Sequence, residues 1–212
     1  MVLIKPDAIK NSLTGYILSR FSEFHTGLRF AALKVVAVNL ALAEEHYAEH
    51  KGKFFYPSLL EYIRGYLHYP DEPSKRRVIA IIYRGPNAIK NIREICGNTN
   101  PHEARAQRPG CIRSLGTIIP LYDAKGKFIG DRSDNLIHAS ANIQDAEREI
   151  KLWFLPTDIP PTVRSYPAET SKEYYYYKNG AISSEYTPGS YCFIGPGDLV
   201  WKSDMKVLRQ IA

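Results

Sequence analysis

The chain has 212 residues, of which 44% are hydrophobic, so it can bury a full core and is too apolar to be disordered throughout. No apolar run approaches the roughly 18 residues that a membrane span needs. The start, "MVLIKPDAIK", has an apolar run too short for a signal peptide. The 28 basic and 22 acidic side chains give a net charge of +6, which favours anionic partners without choosing among them.

Cysteine usage indicates the compartment. Cys96, Cys111 and Cys192 form an odd set without metal-ligand spacing. This is typical of a reducing environment and argues against a disulfide framework or a zinc site. We therefore expect a cytoplasmic protein that has no membrane partner.

The first half of the chain predicts interspersed strands and helices. The run "VLIK" indicates a strand that ends before Pro6, "SLTGYILSRFSEF" has helical spacing of its apolar residues, and "LRFAALKVVAVNL" has the β-branched composition of a long strand. The segments "ALAEEHYAEHK" and "YPSLLEYIRGYL" predict two helices. A polar, proline-broken loop over residues 68–77 then precedes the strand "VIAIIYRG" and the helix "NAIKNIREICGN".

The second half begins with a long irregular stretch, residues 98–134, in which "YDAKGKF" predicts a small hairpin. The segment "NLIHAS" predicts the next strand. The segment "IQDAEREIKLWF" predicts the next helix, with a buried stripe of Ala146, Ile150, Trp153 and Phe154. This order of elements predicts an α+β fold with a mainly antiparallel sheet and helices on one face.

Beyond Pro156 the composition shifts toward proline, tyrosine and serine. The tyrosine run at 174–177 precedes "KNG", and Asn179-Gly180 suits the type I′ turn of a hairpin. Consecutive tyrosines can stack on the bases of single-stranded nucleic acid. Tyrosines that pack on the protein body or on a neighbouring subunit are the more common case. Nucleic acid is therefore a secondary candidate partner.

Several cationic and hydroxyl side chains could hold an anion. Arg93 lies on a predicted helix shortly before Thr99, Arg113 follows "RPGCI", and Lys5 and Tyr47 offer further donors. Phosphate oxygens prefer such a spread of charge-assisted donors, and arginine supplies planar bidentate geometry. Spacing alone leaves open the alternative that these are ordinary solvated side chains.

The histidine of "NLIHASAN", His138, is followed by Ala139 and Ser140, which are too small to cover its ring. Glu149 lies on the next predicted helix and could fold back toward the imidazole. A carboxylate that holds one ring nitrogen fixes the tautomer and makes the other nitrogen a better nucleophile. A structural histidine and a solvated glutamate are the plainer interpretations of the same residues.

Five segments occur in the order and approximate spacing of the nucleoside diphosphate kinases: "LIKPDA", "HYAEHKGKFFYPSLLEY", "REICGNTNP", "RPGCIR" and "NLIHASAN…AEREIKLWF". The sequence therefore resembles that family over residues 1–157. The resemblance implies a ferredoxin-like sandwich, with a four-stranded, mainly antiparallel sheet covered by helices. We expect insertions near residues 66–77 and 116–134 in this domain, and a C-terminal extension, residues 158–212, that is partly β-hairpin.

The resemblance implies a role for each site residue. His138 corresponds to the nucleophile that takes the γ-phosphoryl group of a nucleoside triphosphate and passes it to a diphosphate by a ping-pong mechanism. Glu149 corresponds to the carboxylate that orients this ring, and Ser140 to the hydroxyl beside it; Lys5 and Tyr47 complete the catalytic set. The nucleotide-binding groups are Lys5, Tyr47, Arg93, Thr99 and Arg113 for the phosphates, Asn135 and Lys5 for the ribose, and Phe55 for the base.

The resemblance also implies Mg²⁺, held mainly by the nucleotide phosphates and water, so no dedicated protein cage is expected. The implied partners are nucleoside triphosphates and diphosphates and further copies of the chain, with a hexamer favoured and a tetramer as the alternative. Because stacking does not read the hydrogen-bonding edge of a base, we expect weak base discrimination. The alternative function is a catalytically weak nucleotide- or nucleic-acid-binding relative.

The sequence departs from the family's pattern close to the nucleophile. Ala139 and Ala141 replace a usual glycine and aspartate, and loss of the aspartate is expected to affect the rate or its Mg²⁺ dependence. The residues from Ser114 to Gly116 replace the usual Gly-Asp-Phe. Arg132 stands where a small apolar residue commonly faces the base, and we expect it either to stack there or to mark a slip in the alignment.

Overall fold

The computed structural model describes all 212 residues, which divide into two compact units, Met1–Leu152 and Trp153–Ala212. None of the helices has both the length and the apolar character needed to cross a membrane. The strands of the first unit are β1 (Val2–Ile4), β2 (Arg29–Val36), β3 (Val78–Arg84), β4 (Thr117–Tyr122), β5 (Phe128–Asp134) and β6 (Ile137–Ala139). Its helices are α1 (Pro6–Lys10), α2 (Thr14–Arg20), α3 (Glu23–Thr26), α4 (Leu40–His46), α5 (Tyr56–Ile63), α6 (Ala88–Cys96), α7 (Pro101–Gln107) and α8 (Ile143–Trp153).

Four strands form one sheet in the order β2-β3-β1-β6, and every neighbouring pair is antiparallel. In the central strand β1, Leu3 pairs with Ala80 on one side and with His138 on the other. All three residues of β1 are fully buried, which explains why this strand is a continuous apolar run rather than an alternating one. The predicted α+β fold with an antiparallel sheet is confirmed.

The core of the first unit joins this sheet to three helices. Ile4 and Ile81 of the sheet pack with Ala8 of α1, Ile17 of α2 and Ile92 of α6 in one cluster of buried residues. Burying a side chain of this size contributes about 1.5–3 kcal/mol. The cluster holds β1 and β6 in place, and His138 lies on β6.

The stretch expected to be irregular contains a helix, α7, so that part of the prediction was wrong. Asn100 caps the helix, since its side-chain oxygen accepts hydrogen bonds from the amides of His102 (2.9 Å) and Glu103 (3.4 Å). Pro101 is the first helical residue, where a missing N–H costs nothing. The predicted hairpin is confirmed, and its strands β4 and β5 extend well beyond "YDAKGKF".

The predicted stripe is confirmed, because Ala146, Ile150 and Trp153 of helix α8 are buried, and so is Phe154 just after its end. In the second unit the strands are β7 (Ala168–Thr170), β8 (Tyr175–Lys178), β9 (Ala181–Ser183), β10 (Tyr191–Ile194) and β11 (Leu199–Trp201), and the helix is α9 (Lys202–Ile211). Asn179 and Gly180 have φ values of 50° and 85° between β8 and β9, which confirms the expected type I′ turn. The sequence analysis did not anticipate α9.

Candidate active site

A cavity of about 410 Å³ opens in the first unit and gathers side chains from distant parts of the sequence. Nine of the ten predicted site residues line it: Lys5, Tyr47, Phe55, Arg93, Thr99, Arg113, Asn135, His138 and Glu149. The tenth, Ser140, is buried behind Glu149. We call Lys5, Arg113, Asn135, His138 and Glu149 the inner end of the cavity, and Phe55, Asp131 and Arg132 its outer wall.

The backbone before His138 adopts an unusual conformation. Leu136 has a φ of 68°, which non-glycine residues rarely adopt. Its amide donates a 2.9 Å hydrogen bond to the buried carboxylate of Asp7, which secures the turn into β6. Such strain persists only where the surroundings hold it, and here it fixes the point from which the histidine enters the cavity. The sequence analysis had given Asp7 no role.

Helix α8 brings Glu149 to the ring of His138. The carboxylate oxygen Oε1 lies 2.8 Å from Nε2 of His138, and Oε2 accepts a 2.5 Å hydrogen bond from the Ser140 hydroxyl. Because a carboxylate only accepts hydrogen bonds, Nε2 carries the proton and the lone pair of the neutral ring is on Nδ1. Glu149 is almost fully buried, and this excludes the solvated-glutamate interpretation.

The electrostatic surroundings keep His138 neutral. Burial, followed by the positive charges of Lys5 and Arg113, holds the pKa of His138 well below its usual value. The ring therefore keeps an available lone pair at pH 7. A desolvated neutral imidazole with one nitrogen committed to a carboxylate is a suitable nucleophile.

A second histidine, His46, lies against the first and was missed by the sequence analysis. Its ring centroid is 4.6 Å from that of His138, and the two planes meet at 78°. Burial and the neighbouring His138 hold the pKa of His46 well below its usual value. His46 is the last residue of α4 and directly precedes Tyr47. Its place beside a predicted site residue was the only indication in the sequence that it belongs to the site.

Two cations at the inner end are held by hydrogen bonds. The Lys5 ammonium donates to the side-chain oxygen of Asn135 at 2.7 Å, and burial lowers the pKa of Lys5 to about 8. The Arg113 guanidinium donates to the carbonyl oxygens of Gly97 (2.9 Å) and Ile137 (3.1 Å). Both positive charges are therefore fixed before any ligand arrives.

Tyr47 contributes a hydroxyl that is poised for a ligand. Burial raises the pKa of Tyr47, so the group stays protonated, and its oxygen has no hydrogen-bond partner within the chain. A buried hydroxyl without a partner is costly. Arg93 and Thr99 add exposed donors to the same cavity, while Phe55 is half-buried at its outer wall.

The β4–β5 hairpin supplies part of the outer wall, through Asp131, Arg132 and Ser133 of β5. The hairpin falls within residues 116–134, where the sequence analysis expected an insertion, and that analysis left Arg132 with two interpretations. Arg148 of α8 also lines the cavity, and its guanidinium is hydrogen-bonded to the carbonyl oxygens of Glu45 (3.1 Å) and His46 (3.3 Å). Arg148 was not anticipated.

Two kinds of group could interact with a metal. One ligand atom from each of His46, His138 and Glu149 lies within 4.8 Å of the others, but two of these residues already pair with each other as the imidazole and its orienting carboxylate. Asp131 and Asp145 line the cavity and offer the carboxylate oxygens that Mg²⁺ prefers. The carboxylates of Asp131 and Asp145 therefore suit a divalent cation that binds together with a phosphate ligand.

One departure from the family's pattern has a packing reason. A Cβ on Gly116 would lie 2.6 Å from the carbonyl oxygen of Asp134 and 3.1 Å from the Cα of Asn135. Only glycine allows the start of β4 to approach the segment that carries Asn135.

Ala141 is exposed at the edge of the cavity and presents no charge there.

A neutral histidine set among lysine and arginine side chains in an α+β domain is the arrangement that a phosphotransferase needs. The model of the nucleoside diphosphate kinase family matches residues 1–159. The nucleoside diphosphate kinase of Thermus thermophilus is 37% identical over 158 residues, which are 74% of this chain and 96% of that protein. The chain therefore belongs to the nucleoside diphosphate kinase family, whose ferredoxin-like fold it shares.

Solved structures of nucleoside diphosphate kinases are also similar to this chain. A transition-state mimic of the Borrelia burgdorferi enzyme, with bound vanadate and ADP, has a TM-score of 0.57 and 30% identity, covering 77% of this chain and 90% of that one. A halophilic enzyme from Halobacterium salinarum in complex with CDP also has a TM-score of 0.57 and 30% identity, covering 77% and 91%. This chain is thus an enzyme that transfers phosphoryl groups between nucleotides, and its family works with a divalent cation.

Proposed function

We propose that His138 carries the phosphoryl group between the two half-reactions. The observation behind this proposal is the 2.8 Å contact of Nε2 with Glu149, which leaves the lone pair of Nδ1 as the nucleophile in the cavity. In the first half, Nδ1 attacks the γ-phosphorus, and the bond from that phosphorus to the β-phosphate oxygen breaks. The electron pair leaves with the nucleoside diphosphate.

The second half reverses this chemistry with a different nucleotide. An oxygen of the terminal phosphate of an incoming diphosphate attacks the phosphorus, the P–N bond breaks, and neutral His138 is restored. Glu149 opposes the positive charge that develops on the ring during the first half, and Ser140 holds Glu149 in place. One cavity serves donor and acceptor in turn, so the kinetics are ping-pong.

The phosphates are assigned to the donors already in the cavity. Lys5, Tyr47, Arg93, Thr99 and Arg113 neutralise and align the phosphate oxygens, which is the main requirement of phosphoryl transfer. Asn135 and Lys5 contact the ribose hydroxyls, and Phe55 stacks on the base. Stacking does not read the base edge, so several nucleotides should serve.

We assign the divalent cation as Mg²⁺, with most of its ligands coming from the nucleotide phosphates and water. When bound, it supplies positive charge against the β- and γ-phosphate oxygens. Asp131 and Asp145 would hold it through their carboxylates. Asp131 is exposed and Asp145 is half-buried, so the two do not form a dedicated cage.

The proposal extends to organisation and location. We assign residues 1–157 to the catalytic domain and residues 158–212 to an extension. Strand β2 is an edge strand that exposes Phe30, Leu33 and Val35, which supports a homo-oligomer; a hexamer is favoured and a tetramer is the alternative. Light scattering after gel filtration would distinguish the two.

Three free thiols support a reducing compartment such as the cytoplasm.

The test is transfer of label from γ-labelled ATP with Mg²⁺ to the protein. We expect an acid-labile, alkali-stable phosphoprotein, with phosphorus on Nδ1 by NMR of the phosphohistidine. His138→Ala should lose labelling by at least about three orders of magnitude. The matched control is His25→Ala, an exposed histidine bonded to Ser22, which should label normally.

Equal labelling of wild type and His138→Ala would overturn the proposal. Nucleotide binding without any labelling of the wild type would instead favour the alternative of a catalytically weak binding relative.

A further inference from the structure

Helix α9 packs on one face of the three-stranded sheet β10-β8-β9 in the second unit. Tyr175 of the central strand β8 is buried there, in a cluster with Met205 and Leu208 of the helix. Because successive side chains of a strand point to opposite faces, Tyr174 and Tyr176 lie on the other face, and Tyr174 is 53% exposed. The packing interpretation of the tyrosine run therefore holds for Tyr175 and not for Tyr174.

The rings on this other face form a connected aromatic surface. Those of Tyr174 and Tyr176 are nearly parallel, with centroids 6.1 Å apart and planes at 17°, and Tyr186 meets Tyr176 edge-on at 5.6 Å. The Tyr174 ring also lies close to Gly195, since a Cβ added there would be 3.5 Å from Cε1 of the ring. Contacting rings have little rotamer freedom left to lose when a flat ligand stacks on them. We call Tyr174, Tyr176 and Tyr186 the tyrosine face.

Lysine side chains flank the two parallel rings. Lys178 follows Tyr176 by two residues on β8 and so shares its face, and Lys172 is exposed two residues before Tyr174. The Lys178 ammonium donates to the carbonyl oxygen of Pro188 at 2.6 Å, which leaves it two further N–H donors and its full charge. A positive charge is therefore available on each side of the rings along the chain.

The carboxylate within the tyrosine run lies on the opposite face. Glu173 accepts a 2.6 Å hydrogen bond from the hydroxyl of Tyr175, and it pairs with Arg209 of α9 at 3.5 Å. Glu185 is exposed and adjoins Tyr186, so it lowers the positive charge at that end of the tyrosine face. The charge around Tyr174 and Tyr176 suits an anionic ligand that contacts a few phosphates, and the rings suit flat groups.

We propose that the tyrosine face binds single-stranded nucleic acid, with adjacent bases stacked on Tyr174 and Tyr176 and the flanking phosphates paired with Lys172 and Lys178. Every base has a flat π-face, and a single strand can splay its bases onto protein rings, whereas the bases of a duplex are stacked on one another. DNA and RNA share this chemistry. The inference does not depend on the proposed function, because none of these residues lines the nucleotide cavity.

The experiment is fluorescence anisotropy of labelled oligo(dT) and oligo(U), each of about twelve nucleotides, with the full chain and excess ADP to occupy the cavity. We expect saturable binding of both, and the tighter of the two identifies the nucleic acid. A DNA duplex of the same length should bind at least about tenfold more weakly. Two lysine–phosphate contacts predict a slope of about −1.4 for log K against log salt concentration.

Variants separate stacking from charge. Tyr174→Thr and Tyr176→Thr should each weaken binding by roughly 5- to 150-fold, whereas Tyr176→Phe keeps the ring and should bind like the wild type. Lys178→Gln should make the salt slope shallower by about 0.7. The matched control is Tyr191→Thr, because Tyr191 is 61% exposed and contacts Tyr177 on the opposite face of the same sheet. This variant should bind like the wild type.

Binding that neither threonine variant weakens, or that the duplex equals, overturns the inference. Absence of oligonucleotide binding also overturns it, and self-association that Tyr174→Thr abolishes in light scattering would then assign the tyrosine face to a second copy of the chain. If Tyr176→Thr does not fold, Tyr174→Thr decides by the same criterion. Labelling of His138 from ATP is measured in parallel, and its failure in the wild type refutes the proposed function alone.

Discussion

At the inner end of the cavity, Lys5, Arg113 and Glu149 are almost inaccessible, and each is bonded to a backbone carbonyl or to a neighbouring side chain. On the outer wall, Phe55 and Arg132 are partly exposed and Asp131 is exposed. The proposed function assigns the phosphates to the inner end, and because phosphates are the same in every nucleotide, its groups can be fixed in advance. The proposed function assigns the variable base to the outer wall, part of which the β4–β5 hairpin supplies.

The largest effect is expected at the inner end, from Glu149→Ala, which removes the carboxylate that orients His138. We expect labelling of His138 to slow by roughly one to two orders of magnitude, because the tautomer and ring orientation are no longer fixed. Rapid-quench measurement with γ-labelled ATP gives the rate. Glu149→Gln, which still accepts a hydrogen bond but has no charge, should fall between. An unchanged rate in folded Glu149→Ala would remove its assigned role.

Gly116→Ala should damage the junction between the hairpin and the inner end. A Cβ that would lie 2.6 Å from the Asp134 carbonyl oxygen forces the Asn135 segment to move, so we expect a loss of about 1–3 kcal/mol in the free energy of unfolding. Urea denaturation measures it. The control is Gly15→Ala, whose added Cβ would meet nothing within 4 Å. If both variants have the same stability as the wild type, the packing account of Gly116 is wrong.

The pH dependence of nucleotide binding tests whether the inner end acts through its fixed charges. The pKa of Lys5 is lowered to about 8, so the ammonium loses its proton above that pH and kcat/KM should fall about tenfold per unit. The pKa of His138 lies well below 6.5, so no acid limb should appear between pH 6.5 and 8. Lys5→Arg, if it still binds nucleotide, should abolish the alkaline limb; persistence of that limb would assign it to another group.

The ionisation of Lys5 should affect the free energy of unfolding in the opposite direction from kcat/KM. Between pH 8 and 10, unfolded Lys5 binds more protons than folded Lys5, so its contribution to stability rises with pH. A fall in kcat/KM over this range would therefore report lost phosphate binding rather than unfolding at Lys5.

The smallest expected effect is at the edge of the cavity, where Ala141→Asp restores the charge that the family commonly has. We expect the Mg²⁺ concentration for half-maximal labelling to fall by roughly two- to tenfold, because added ligand charge tightens cation binding. Magnesium titration of the labelling rate measures it, with Ala141→Asn as the uncharged control. Equal Mg²⁺ requirements in all three proteins would show that Asp131 and Asp145 already suffice.

Much of the site could be predicted because its residues lie in short segments whose order resembles a known family. Lys5, His138 and Glu149 were assigned from those segments, and the cavity brings them together. His46 was missed since a histidine beside a tyrosine has no distinctive pattern. Asp7 was missed because its hydrogen bond to Leu136 joins residues far apart in the sequence.

The sequence by itself determined most of the local elements, though not α7 or α9, and the antiparallel α+β fold, because apolar periodicity and turn residues act over a few neighbours. It also predicted an insertion near residues 116–134. Only the tertiary structure decided that Nδ1 of His138 is the available nitrogen, that Lys5 has a lowered pKa, and that His68 supports Arg132 through Asp134. These properties depend on burial and on contacts between distant segments, which local sequence patterns do not encode.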